Sequence, residues 1–236
     1  LPMMGGYHLA TRARSRLRLG INHTRFTMAT RSFVFPGQGS QAVGMGQDLA
    51  EAFPEARYTF EELDDALGQR LSKIMFEGPE SDLTLTENAQ PALMAVSLAV
   101  MRVLEKEAGL KVGDACSFVA GHSLGEYSAL TAAGAFGFAD AARALKARGQ
   151  AMQQAVPVGE GAMAALLGAE LDQAESIAER AAQGEVCTAA NDNGPGQIVL
   201  SGATAAIERA VEIATQEGVR RSVILPVSAP FHCAMM

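Results

Sequence analysis

A tight turn at residues 121–125 constrains the fold of this chain more than any other feature. Residues 117–120 form a short apolar run of strand character, Gly121-His122-Ser123-Leu124-Gly125 follows, and helical patterning begins at Glu126. A strand that enters a helix with almost no connecting loop belongs to α/β architectures, where helices pack on a parallel sheet. A Gly-x-Ser-x-Gly turn of this kind lifts the serine side chain clear of the backbone. Glycine on either side removes Cβ atoms that would collide as strand and helix close up. The following helix directs its free N–H groups and positive dipole end back at the turn.

The rest of the chain reads as an α/β protein in two parts. Residues 32–35 form a strand that ends in Pro36-Gly37-Gln38-Gly39-Ser40-Gln41, a loop whose backbone can approach a ligand closely. Helices are predicted over 54–67, 87–108, from 126, and over 140–155, the last ended by Pro157. In the second, Leu93, Val96, Val100 and Val103 recur at steps of three and four, which predicts one buried face. From Gly161 the order becomes strand 162–168, helix 171–182, strands 186–190 and 197–201 around Asn193-Gly194-Pro195-Gly196, helix 203–218 and strand 219–227. That β-α-β-β-α-β order predicts a small ferredoxin-like subdomain, 158–225. It interrupts a larger α/β-hydrolase-like subdomain made of 28–157 and 226–236.

Composition narrows the function classes. With 48% hydrophobic and 19% charged residues the chain is globular in type, and no apolar run reaches the length of a membrane span. Six arginines and no acid lie in the first 31 residues; the remainder holds 13 Lys/Arg against 26 Asp/Glu, a net charge of −13. So acidic a body does not suit nucleic acid. The basic head fits a transit peptide, an expression scar or upstream codons translated ahead of Met28, and the last is favoured. Residues 1–27 are therefore set outside the fold. Cys116, Cys187 and Cys233 are odd in number and widely spaced, which argues against a disulfide framework or a zinc knuckle. They are expected to be small apolar packing residues in a reducing, cytoplasmic compartment.

The turn has neighbours in sequence order that give it a chemical meaning. Gly121-His122-Ser123-Leu124-Gly125-Glu126-Tyr127-Ser128-Ala129-Leu130 resembles the nucleophile motif of the malonyl-CoA:acyl-carrier-protein transacylase family. FVFPGQGSQAVGMG (33–46), TENAQPAL (86–93), RGQAMQQAV (148–156) and PVSAPFHCAMM (226–236) resemble that family in the same order. The acyltransferase domains of polyketide synthases share these motifs. The resemblance implies Ser123 as acyl-carrying nucleophile and His232 as its base. It implies backbone N–H groups of Leu124 and Gln38 as oxyanion donors, and Arg148 as the reader of the malonyl carboxylate. Gln90, Asn191 and Phe231 are implied as lining residues. On the residues alone, Gln38 equally makes a plain turn, His232 a surface histidine, Arg148 a solvated helix residue and Asn191 a structural turn residue. His122 is expected to point away from Ser123 and serve as a structural hydrogen-bonding group.

The resemblance further implies a ping-pong transfer of malonyl from malonyl-CoA to the phosphopantetheine thiol of acyl carrier protein, in fatty-acid synthesis. A cytoplasmic monomer with no metal, redox cofactor, nucleic acid or membrane is the expectation. Alternatives are a polyketide-pathway acyltransferase, a serine esterase, and an inactive fragment. The family continues past the histidine and supplies there a glutamine and closing strands, so this chain is expected to be C-terminally truncated. Arg220 and Arg221 are a weak candidate for carrier contact; a solvated strand end is favoured.

Overall fold

The structure, a computed structural model, describes residues 31–157, 159–227 and 229–236. The basic extension 1–27 and residues 28–30 lie outside the described residues. Arg31–Met236 form one compact α/β unit. Strand β1 (Ser32–Phe35) is followed by helices α1 (Gln47–Ala52), α2 (Pro54–Leu67), α3 (Leu71–Glu77), α4 (Glu80–Thr84), α5 (Thr86–Ala108) and α6 (Val112–Ala115). Strand β2 (Phe118–Gly121) then runs into α7 (Gly125–Ala132) and α8 (Phe138–Ala155). The remaining elements are β3 (Gly161–Leu167), α9 (Leu171–Ala182), β4 (Cys187–Asp192), β5 (Gln197–Ala203), α10 (Thr204–Gln216) and β6 (Arg221–Ile224).

Two sheets result. β1 and β2 pair in parallel, Ser32 opposite Phe118 and Phe35 opposite Gly121, so the glycine loop after β1 and the serine turn after β2 leave the sheet side by side. β3 to β6 form an antiparallel sheet in the order β4-β5-β3-β6. Alternation divides the faces of this sheet. Ala164, Leu166, Ile198 and Leu200 point at α9 and α10, where Ile177 and Ile207 complete a core. Met163 and Val199 point the other way and pack on Ala229 and Phe231. That second face carries the C-terminal segment back toward the serine turn.

Helices α2, α5 and α8 share a core around Phe60, Leu63, Met94, Leu98 and Leu145, into which Leu124 also inserts. The expected single stripe on α5 needs correction. Val100 is 41% exposed, whereas Asn88 to Ala95 are buried all round, because α2, α4, α7 and α8 surround the first turns of the helix. The short helices α1, α3, α4 and α6 were not anticipated. Among the thiols, Cys187 is buried, which pushes its pKa up to about 11. Cys116 and Cys233 are half-buried and donate weakly to the carbonyls of Val112 and Pro230, so packing describes them only in part. Arg221 starts the edge strand β6, exposed like Arg220. No described helix is long and apolar enough to cross a membrane.

Candidate active site

Ser123 sits in the left-handed region at φ 53°, a conformation that costs a residue with a side chain about 1–3 kcal/mol. The surroundings hold it there. A Cβ on Gly121 would lie 1.9 Å from the Gly125 carbonyl, and one on Gly125 would lie 2.4 Å from the Phe35 oxygen. Strand, turn and helix are therefore in backbone contact, and side chains at either glycine would force them apart. The His122 N–H donates to the Phe35 carbonyl at 3.0 Å and fastens the turn to the end of β1.

Two cationic or basic groups converge on the serine from distant segments. His232 Nε2 is 3.0 Å from Ser123 Oγ, across 109 residues of sequence. Its backbone is also left-handed, φ 60°, at the end of a segment whose Pro230 ring lies against Gly161 of β3. Burial holds its imidazole below the ordinary pKa, and the charges of Arg148 and His122 act in the same direction. It is thus kept in the neutral form, the one able to accept a proton. Arg148, on α8, donates from Nη2 to Ser123 Oγ at 3.0 Å.

The guanidinium of Arg148 is aimed by a partner that is itself fixed. Nη1 donates to Gln90 Oε1 at 2.5 Å; Gln90 is fully buried and places its Nε2 3.4 Å from Met152 Sδ. The Tyr127 ring lies 5.9 Å from the guanidinium carbon. Burial lowers the Arg148 pKa, opposed by Tyr127 and Glu126. Among the described residues no carboxylate forms an ion pair with it. A half-buried cation with hydrogen bonds but no counter-charge favours an anionic ligand.

These groups open on a cavity of about 690 Å³ between the serine turn and the antiparallel sheet. Gln38, Ser123, Arg148, Asn191, Phe231 and His232 all line it. Gln90 stands behind Arg148, and Leu124 is buried with only its backbone available to the turn. Among the described residues the N–H groups of Gln38 and Leu124 have no protein hydrogen-bond acceptor. The Gln38 side chain instead reaches Thr86 Oγ1 at 3.4 Å. Asn191 lies where β4 slips register against β5. Among the described residues no group of three His, Cys, Asp or Glu could hold a metal ion.

Sequence reasoning missed Met152 and Thr86. Met152 sits four residues after Arg148, on the same face of α8, and that spacing was the available signal. Thr86 is the first residue of α5, visible only once the Gln38 loop is placed. His122 has the structural hydrogen bond expected of it, through Nε2 to Asn193 Oδ1 at 2.9 Å, which joins the serine turn to the β4–β5 turn, and it also lines the cavity. Chemically, the constellation can deprotonate a serine, and can bind an anion beside it.

The chain resembles known proteins in both sequence and fold. Residues 32–236 match the family model described as an acyl transferase domain. The chain is 47% identical over 210 residues to the malonyl CoA-acyl carrier protein transacylase of Bacillus subtilis, covering 89% of this chain and 65% of that protein. Among solved structures, an acyl-carrier-protein-S-malonyltransferase from Bartonella henselae superimposes with a TM-score of 0.85 at 59% identity, covering 88% of this chain and 66% of that one. A malonyl-transacylase in complex with a type II PKS acyl-carrier protein gives 0.84 at 44% identity, over 88% and 66%. The chain spans about 65% of the length of these relatives. Since the family model covers almost every described residue, this chain belongs to the acyl transferase domain family.

Proposed function

We propose that this chain carries the catalytic centre of a malonyltransferase that moves malonyl from coenzyme A to the phosphopantetheine thiol of acyl carrier protein. One observation carries the reading. Ser123 Oγ lies 3.0 Å from a neutral imidazole and 3.0 Å from a guanidinium that forms no ion pair with a carboxylate among the described residues. The first suits a nucleophile and base; the second suits an acyl group that ends in a carboxylate. The names of the relatives point the same way.

In this reading His232 Nε2 takes the Ser123 proton as Oγ attacks the thioester carbon. The oxyanion is held by the N–H groups of Leu124 and Gln38. The C–S bond breaks, and the leaving CoA sulfur takes the proton from His232. A carrier thiol then enters, loses its proton to His232 and attacks the serine ester, and the steps reverse. Thioester and serine ester are close in energy and their exchange is redox-neutral, so with His232 as base and two N–H groups on the oxyanion this reading assigns no step to a metal or redox cofactor. Arg148 reads the malonyl carboxylate, Gln90 holds Arg148, and Phe231 and Asn191 shape the acyl pocket. A ring at Phe231 beside the α-carbon leaves little room for a methyl branch.

The two parts are read as an α/β-hydrolase-like subdomain, 28–157 with 226–236, and a ferredoxin-like subdomain, 158–225, supported by the strand order β4-β5-β3-β6. We read the enzyme as a cytoplasmic monomer serving fatty-acid synthesis; the complex with a type II PKS carrier keeps a polyketide carrier as the second reading. A serine esterase would have no use for Arg148. Incubation with malonyl-CoA should add one malonyl group to Ser123, seen by mass spectrometry, and Ser123→Ala should acquire none. An adduct on the Ser123→Ala protein would overturn the assignment. Turnover of an uncharged ester far ahead of malonyl transfer would favour the esterase.

A further inference from the structure

The contact between α5 and α8 has an unusual regularity. On α5, Gln90 engages Arg148 and Met152, which are one helical turn apart on α8. Glu87, one turn earlier on α5, engages another pair one turn apart on α8. Its Oε2 accepts from Lys146 Nζ at 2.8 Å and from Gln150 Nε2 at 3.0 Å. The two contacts form parallel rungs, each a residue of α5 bridging an i, i+4 pair of α8, offset by two residues. Between them the helix backbones touch: a Cβ on Gly149 would lie 2.5 Å from Glu87 Cα.

The outer rung is heavily tied down. Lys146 Nζ has three acceptors for its three protons, Glu87 Oε2 at 2.8 Å and Gln69 Oε1 and Asn88 Oδ1 at 2.9 Å each. Asn88 in turn donates to the Asp82 carbonyl at 2.9 Å and accepts from Gln69 Nε2 at 3.2 Å. The lysine side chain is 19% exposed and the glutamate side chain 26%, so this is no loose surface pair. Hydrogen bonds from Lys146 and then Gln150 hold the Glu87 carboxyl below the usual range, and it stays charged.

We propose that Glu87 is a positioning residue: by gripping Lys146 and Gln150 it sets the register of α8 against α5, and so aims the Arg148 guanidinium. The inference rests on the reading of Arg148 as the carboxylate reader. A slip of one residue along α8 is about 1.5 Å, and misplacement by about 1 Å can cost roughly a hundredfold in rate. Glu87 touches neither serine nor acyl group; it acts through Arg148. Its loss therefore weakens the acyl group that needs Arg148, and spares one that does not.

The test measures the rate of Ser123 acylation by malonyl-CoA and by acetyl-CoA on the full chain, by mass spectrometry. Glu87→Gln keeps the shape and removes the charge. It should slow malonylation by about 5- to 20-fold and leave acetylation within about twofold. Gln150→Met, at an exposed position, should act in the same direction and less. The double variant Glu87→Gln/Lys146→Met should be no worse than its worse single, since the two act as one unit. Equal change with both thioesters, or no change in either, would overturn the proposal. Arg148→Ala runs alongside. If it fails to separate the two thioesters, the reading of Arg148 falls and this inference with it. If it separates them and Glu87→Gln does not, only the inference falls.

Discussion

β3 to β6 with their two helices bury residues by alternation, whereas the serine turn at the ends of β1 and β2 closes by leaving side chains out. In the antiparallel sheet, Ala164, Leu166, Ile198 and Leu200 fill one face and Met163 and Val199 the other, and the seven-residue pairing of β3 with β5 runs without a shift of register. β1 and β2 have four residues each, and their turn closes because Gly121 and Gly125 carry nothing that could collide. The first region is stabilised by atoms present and should tolerate some loss. The second depends on atoms absent and should tolerate no gain. Ser123 in the second region and His232 opposite it hold left-handed backbone at the cavity itself, whereas in the first region the same conformation falls on Gln183, where it only ends α9.

The largest effect should come from adding one methyl group. Gly121→Ala puts a Cβ 1.9 Å from the carbonyl of Gly125, backbone against backbone, so no rotamer relieves it. Ser123 acylation should vanish, while the amide signals of the antiparallel sheet remain. Retained acylation would mean that the turn is more pliable than this contrast allows.

Next in size is Arg148→Ala. Leaving a carboxylate without its partner in a desolvated site costs about 3–5 kcal/mol, roughly a hundred- to several-thousand-fold in malonyl kcat/KM. Acetyl transfer should hold or rise, because an acetyl group offers no carboxylate to the cation that is removed. Equal losses with both thioesters would assign Arg148 to the fold.

Truncation in the other region should do the opposite. Leu200→Ala removes a fully buried side chain and should cost about 2–5 kcal/mol in denaturant unfolding. The malonyl-to-acetyl ratio of the folded fraction should not move. A shifted ratio would show that the sheet does more than support the cavity wall.

The smallest effect concerns pH. Burial and the Arg148 charge both disfavour the imidazolium of His232, so its pKa is lowered and the base stays available into mild acid. The acid limb of kcat/KM should lie below that of a free imidazole, about pH 6.5. Removing Arg148 removes one repelling charge, so the limb should move to higher pH, read with acetyl-CoA. A limb that does not move would leave burial and His122 to set it, and one that moves down would overturn the repulsive role of Arg148.

Local patterns were legible in the sequence; contacts between helices were not. Alternation and turn residues located β3 to β6 and both their helices to within a few residues. The glycines around Ser123 announced their own close approach. Arg148 and His232 were found by resemblance, since neither spacing nor composition distinguishes them from solvated residues. Glu87 and Lys146 could not be found at all, because their pairing needs the crossing of α5 and α8. Val100 was misassigned because periodicity says that a helix has an inner face and not how many neighbours surround it. The short helices α1, α3, α4 and α6 run four to seven residues, too few turns to show a period. Nor did apolar strand character disclose that Val34 and Phe118 would stand 74% and 64% exposed on β1 and β2.

The contact of His122 with Asn193 has a consequence when set against that of its neighbour with His232. Asn193 offers His122 an oxygen, so His122 must carry hydrogen on Nε2. Ser123 offers His232 a hydroxyl proton, so His232 must leave Nε2 bare and carry hydrogen on Nδ1. Two imidazoles on one cavity wall are thus required as opposite tautomers. Protonation treats them differently. The imidazolium form of His122 still donates from Nε2, and the clasp between the serine turn and the β4–β5 turn survives. The imidazolium form of His232 has no lone pair left for the serine. Acid therefore takes the imidazole lone pair from Ser123 while leaving the two turns joined.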